Sequence, residues 1–379
     1  MSTQHLLPAL LLLLAMTSCG GDGPATPPTP PTPTPGDSTL VPDTTGRDTL
    51  PEVKPRDFAR GADISWYSQM EDEGKKFYSW NHREPMDCPA VMHDLGLNAI
   101  ALRLLVNPSD GYCGTQDVLR KAERVSQLGL DLLVSLHLSD TIATATLQRT
   151  PRDWQGHGIE QLATDVRDHV ASTLTALTSN GIHPRWIQIG NQTENGVLWP
   201  EGDIRRHASQ YATLVSQACQ AARGICPQAQ IIVAAGDPLN QPALCAAIDG
   251  IRSTLYDQIG LTLYPTLAVG STFQPMGTSA SAVVQNENDA IAFTMQTTDM
   301  LYNRYKKPCM IVECGVPVSQ ETASSMHMRQ LVSEARANIT CQGVFYREPQ
   351  AYDGWMGYTQ GAFLGNGRPT QIIDALTER

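Results

Sequence analysis

Two short segments carry the residues best suited to chemistry. In PCMIVECG, residues 308–315, the apolar run Met310-Ile311-Val312 ends at Glu313, with Cys314-Gly315 behind it. In RWIQIGN, residues 185–191, a second apolar run stops at Gly190-Asn191, and the next side chain is the amide Gln192. A carboxylate at the end of a buried strand is costly unless it is hydrogen-bonded or functional. Glu313 is therefore the first candidate for a nucleophile, with a purely structural buried ion pair as the bland alternative. Arg103, ending the run LNAIALRLL, is the partner expected to keep it ionised. Two carboxyl groups about 5–5.5 Å apart would suit hydrolysis of a glycosidic bond with retention of configuration. One attacks the anomeric carbon; the other protonates the leaving sugar and then activates water. At position 192 an amide stands where the second carboxyl is wanted, so half of the pair is missing.

The elements that must position these groups are legible from residue 57 onward. Apolar runs occur at 58–65, 97–105, 130–140, 185–191, 229–236, 256–264, 308–315 and 342–349. Amphipathic stretches lie between them, such as CGTQDVLRKAERVSQLG and GIEQLATDVRDHVASTLTALTSNG, with apolar residues three and four apart and a closing Gly. Strands alternating with helices predict a parallel sheet covered by helices, and eight such units predict one closed (β/α)8 TIM barrel over 57–379. A doubly wound sheet is the rival, but GADISW after the first run is not a Gly-rich phosphate turn. In a barrel, function collects at the C-terminal strand ends. The polar residues placed there are Asp63, Arg103, His137, Asp140, Asn191, Gln192, Tyr264, Glu313 and Glu348. A lone histidine such as His137 is often a satisfied core residue, but its setting in LHLSDT favours a role at the rim. Trp66, Trp80 and Trp154 read equally well as packing or as sugar-stacking surfaces.

Composition narrows the ligand. The chain has 379 residues, a formal charge of −11 and 41% hydrophobic content, which describes an ordinary globular protein. An acidic balance repels polyanions, so nucleic acid and acidic polysaccharides are poor partners and a neutral substrate is expected. The opening run LLPALLLLLAMTSC is too short to span a bilayer and reads as an export signal. Met16-Thr17-Ser18-Cys19 resembles a bacterial lipoprotein box, with Cys19 lipidated as the new N-terminus, although no Lys or Arg precedes it. Gly20-Gly21-Asp22-Gly23 resembles the short acidic signals that send such lipoproteins to the surface of some Gram-negative bacteria. The expectation is a monomeric lipoprotein of the outer membrane and cell surface, a plainly secreted protein being the alternative. Residues 20–56, dense in Pro and Thr, form an extended tether that buries nothing. Eight cysteines remain, disulfides are permitted in an exported chain, and Cys88–Cys113 is the favoured pair. Zinc-type CxxC spacing is absent, so no metal site is expected.

The motifs GADISW, LRLLVNP, CGTQDVL, LHLSDT, GNxTENGVLWP, IGLTLYP, IVECGVP and GVFYREP fall in order along 57–379. Together they resemble the endo-β-1,4-galactanases of glycoside hydrolase family 53, a family of retaining barrel glycosidases. The resemblance implies the galactan of pectin side chains or type I arabinogalactan as substrate, and no required cofactor. It makes Glu313 the nucleophile and position 192 the acid/base, a glutamate in the family. Arg103, His137, Asn191 and Tyr264 match positions that orient the nucleophile or touch the sugar. Asp63, Trp199 and Trp355 fall in segments like its substrate loops, and flat aromatic faces suit sugar rings. Asp140 and Glu348 complete the expected binding set. Some bacterial members carry a structural calcium, for which no continuous ligand motif is present here.

The departures are as informative. Arg347 stands where an aromatic residue is expected before Glu-Pro, and Leu138 and Leu263 replace tyrosines. Gln192 keeps the shape of glutamate but has no proton to give, a loss of typically about 10²–10⁴-fold. Glu194 lies two residues on and would have to displace Gln192 to substitute for it, so it is set aside. The chain reads either as a Glu-to-Gln change made to trap substrate, which the completeness of the other motifs favours, or as a natural sugar-binding relative. Another barrel glycosidase for a β-linked polymer such as mannan or cellulose is the remaining alternative.

Overall fold

Eight strands close into one parallel barrel in the order of the apolar runs. The computed structural model describes residues 58–377, so the export signal with Cys19 and the tether at 20–56 lie outside the described residues. The strands are β1 (Ala59–Asp63), β2 (Ala99–Leu104), β3 (Asp131–Leu136), β4 (Trp186–Ile189), β5 (Gln230–Gly236), β6 (Gln258–Leu263), β7 (Cys309–Cys314) and β8 (Cys341–Arg347). Neighbours pair in parallel throughout, and β8 returns to β1 with Ala59 opposite Gly343 and Asp63 opposite Arg347. The closure excludes the open doubly wound sheet.

Each strand is covered on both sides, which is why its sequence is apolar almost throughout. Outside the barrel, the helices Thr115–Gln127 and Ile159–Ser179 bury one stripe each, Val118, Ala122 and Val125 on the first and Leu162, Val166, Val170 and Leu174 on the second. Inside, the rings of Trp186 and Phe345 meet edge to face at 5.9 Å, and Ala59, Ala99, Ala101 and Ala234 pack with them. Gly61 belongs to this fit, because a Cβ there would lie 2.2 Å from Phe345 Cδ1. Large rings on β4 and β8 therefore require small residues on β1 and β2. The interior is a packed core rather than a channel, and only the rim is left for chemistry.

At the rim three strands are left through non-glycine residues in the left-handed region, Leu138 (φ 52°), Gln192 (φ 49°) and Glu348 (φ 46°). Each such residue costs roughly 1–2 kcal/mol, and strain of this kind gathers at functional sites. The Ser- and Thr-rich stretch 270–288, unreadable in the sequence, forms a small antiparallel ribbon of Thr272–Phe273 with Ala282–Val283. It is anchored by Phe273 stacked on Phe293 at 4.3 Å.

The expected Cys88–Cys113 bridge is not made, and both cysteines are free and buried. The Cys113 thiol instead donates to Ser65 O at 3.6 Å. Burial pushes both thiols up, so they act as small core hydrophobes. Cys309 and Cys341 face each other across β7 and β8 and are also free.

Candidate active site

Glu313, near the end of β7, is gripped from two other strand ends. Tyr264, just beyond β6, donates its hydroxyl to Glu313 Oε1 at 2.6 Å, and Asn191, beyond β4, donates Nδ2 to Oε2 at 3.3 Å. Burial and the neighbouring Glu313 charge push the Tyr264 phenol well up, so Tyr264 keeps its proton and remains the donor. Asn191 is itself fixed, donating to Ala143 O at 3.0 Å and accepting from Gln188 Nε2 at 3.3 Å.

Gln192 turns its side chain into the same space. Its Oε1 accepts from Ala145 N at 3.0 Å, while Gln148 Nε2 holds the carbonyls of Asn191 and Gln192 at 2.8 and 3.1 Å. Gln192 and Glu313 line one cavity of about 350 Å³ together with Tyr264, Arg347 and Tyr358. A second cavity, of about 320 Å³, shares Gln192 and Tyr264 and extends past the ends of β5 and β6. The cleft is therefore longer than a single sugar pocket.

Arg103 does not pair with Glu313. It lies buried beneath the rim against Glu348, with Asp63 Oδ2 at 3.3 Å. Burial works against its charge, but Asp63 and Glu348 outweigh burial and hold the guanidinium charged. Glu348 also accepts from Trp66 N at 3.1 Å and Gln350 Nε2 at 2.7 Å, and Asp63 accepts from Ser65 N at 3.0 Å. Asp63, Arg103 and Glu348 thus form a closed network that ties β1, β2 and β8 together below the cleft. Burial holds the Glu348 carboxyl up at about 7 even beside Arg103, so in Arg103→Met it takes up a proton, and the lost hydrogen bonds are expected to cost about 1–3 kcal/mol, read as a fall in the urea midpoint.

The cation that faces Glu313 is Arg347. Burial opposes its charge, and Glu313 with Tyr264 more than restores it. Its guanidinium lies 5.3 Å from the Trp66 ring and 5.1 Å from the Tyr358 ring. The plane that an aromatic side chain would have offered is here a charged one, resting against two rings that touch each other edge to face. His137 is buried and accepts from Ala143 N at its Nδ1, 3.1 Å away. Burial and the charges of Arg103 and Arg347 push its pKa well down, so the ring is neutral and its proton sits on Nε2.

The other candidates are spread more widely. Asp140 braces loops, accepting from Asn107 N at 3.0 Å and Arg152 N at 2.8 Å, and it lines a side pocket with Trp66 and Arg103. Trp199 lines a separate hollow with Trp154, Arg149 and His157, its indole tied to Asn195 O at 3.0 Å. Trp355 is packed into the main hydrophobic cluster. Two further residues, outside the rim set expected from the sequence, border the cleft: Asp237, directly after β5, and Tyr358, whose hydroxyl donates to Arg347 O at 2.7 Å. The β5 run AQIIVAAG carries no polar residue at its end, and the Asp that follows it is the signal that points to the rim. Among the described residues no group of three or more His, Cys, Asp or Glu is arranged to hold a metal ion.

A closed parallel barrel with a carboxylate held at the end of β7, facing a strand-4 side chain across a cleft, is the architecture of a barrel glycosidase. Residues 59–368 match Glycosyl hydrolase family 53, and the chain belongs to that family. It is accordingly a glycoside hydrolase, of a family that works without a cofactor. It is 26% identical to the probable arabinogalactan endo-β-1,4-galactanase A of Neosartorya fischeri, over 81% of this chain and 86% of that one. The arabinogalactan endo-β-1,4-galactanase A of Emericella nidulans is also 26% identical, over 78% and 85%. Among solved structures, a fungal β-1,4-galactanase superposes with a TM-score of 0.73 at 19% identity, covering 84% of this chain and 98% of that one. The family 53 catalytic domain of Ignisphaera aggregans gives 0.72 at 20% identity, covering 86% and 97%.

Proposed function

We propose that the chain cleaves internal β-1,4-galactosidic bonds of galactan with retention of configuration, Glu313 being the nucleophile and Gln192 slowing the reaction. The observation that carries this is the hold on Glu313. Tyr264 engages Oε1 at 2.6 Å, whereas Asn191 reaches Oε2 only at 3.3 Å. Oε2 is the less committed oxygen and the one that attacks. Arg347 borders the same cavity as a charged donor, and the buried His137 is neutral, so neither competes for a proton. The names of the relatives supply the galactan, and the length of the cleft suits an internal bond.

Gln192 offers an oxygen and an N–H where the leaving sugar needs an acid, so binding is retained and bond cleavage is slowed. The export signal and tether fit a lipoprotein that works at the cell surface through Cys19, as a monomer. Reducing-sugar release from galactan, mannan and carboxymethylcellulose, measured side by side, tests the substrate. Preference for mannan or carboxymethylcellulose would overturn it. Tight calorimetric binding of galactan with no cleavage, even with a glutamate at 192, would instead make the chain a glycan-capturing protein.

A further inference from the structure

A second acidic residue borders this cleft. Glu194, two residues beyond Gln192 on the turn Thr193–Asn195, lines the cavity that Gln192 and Tyr264 share with Asp237. No displacement of Gln192 is needed to bring it there. Glu194 is 8% exposed, and its Oε2 has no hydrogen-bond partner. Its Oε1 accepts a long hydrogen bond from Asp237 N at 3.4 Å. Buried polar atoms are nearly always paired, and an orphan calls for an explanation. The fold also makes room for this one, since a Cβ on Gly236 (φ +122°) would fall 1.9 Å from Glu194 Oε2.

We propose that Glu194 is the group that protonates the departing sugar oxygen in the turnover left to this chain, an assignment that rests on the galactan reading above. As the C1–O bond breaks, its electron pair goes to the glycosidic oxygen, which takes the Glu194 proton, while Glu313 Oε2 bonds to C1. In the second step water gives a proton to the Glu194 carboxylate, its oxygen bonds to C1, and Glu313 is released. The group's surroundings suit a donor. Burial, with Asp237 adding to it, pushes the Glu194 carboxyl up to about 7, so at neutral pH much of it still holds a proton. Asp237 faces it from the end of β5 and Tyr211 from the helix Ile204–Ile225. The helix Gln241–Gly250, packed on the same turn, carries Cys245 and Asp249, the latter paired with Arg252 and Arg304. No cation lines this cavity to draw the proton off.

The test is Glu194→Gln in the chain as it stands, with β-1,4-galactan and 2,4-dinitrophenyl β-galactobioside as substrates. The nitrophenolate leaves without a proton, so only galactan needs the acid. Galactan turnover is expected to fall at least tenfold, and the loss of rate above neutral pH to disappear, while the nitrophenolate burst stays within about twofold, consistent with the range for general acids. An equal fall on both substrates would make Glu194 structural and overturn the proposal, as would an unchanged galactan rate and pH profile. A parent chain that gives a burst yet never cleaves galactan would overturn Glu194 alone. A parent chain with no burst would remove the galactan reading itself.

Discussion

Gln192→Glu is expected to raise kcat on β-1,4-galactan by at least about a hundredfold, the lower end of what a positioned acid contributes. The structure explains why so small a change should be enough. Gln192 Oε1 already accepts from Ala145 N at 3.0 Å, a contact that a carboxyl oxygen can keep, which leaves the second oxygen free to carry the proton. Neither the backbone nor the cavity has to move. The gain should appear in kcat rather than KM, because the amide already fills the acid's place. In that variant Glu194→Gln should matter little, since the better-placed donor takes over. Initial rates on galactan for the two single variants and the double variant check both statements, and a reversion that stays as slow as the parent would remove position 192 from the chemistry.

Glu313→Ala is expected to abolish galactan cleavage, with a loss on the order of 10⁴-fold or more, as when a member of a catalytic unit is removed. Added azide should restore release from the dinitrophenyl substrate by occupying the space vacated by the carboxylate. Azide entering from that face gives the α-galactosyl azide. In the parent chain azide would instead trap the galactosyl-enzyme from the opposite face and give the β-anomer. Proton NMR of the two products distinguishes them, and a β-azide from Glu313→Ala would reassign the nucleophile.

The barrel was legible because its strands are covered on both faces and therefore spelled out as apolar runs, while the helices between them carry their stripes at three- and four-residue spacing. Gly190-Asn191 and Glu313 stood out because a polar residue interrupts an apolar run only where the strand reaches the rim. Partnerships were not legible in the same way. Arg103 and Glu313 both end strands, yet a barrel sets strand 2 beside strands 1 and 3, so Asp63 and Glu348 capture the guanidinium and Arg347 is left facing Glu313. The cysteine pairing failed for a related reason: spacing along the chain says nothing of the Ser65 carbonyl that the Cys113 thiol meets. Glu194 reads as remote because it lies in a loop, and only the turn after β4, with the bare Cα of Gly236 leaving room for its carboxyl, sets it at the edge of the cleft.

Leu138, Gln192 and Glu348 constrain anyone wishing to make a hardier version of this protein. Easing the backbone at any of them means giving up the side chain, and Leu138 and Glu348 are 1% and 0% exposed. Losing a buried Leu alone costs about 2–5 kcal/mol, more than the relief of the turn returns. Heat-tolerant variants should therefore arise in the helical shell, far from the cleft, while selection for stability at Leu138 and Glu348 returns the residues already there.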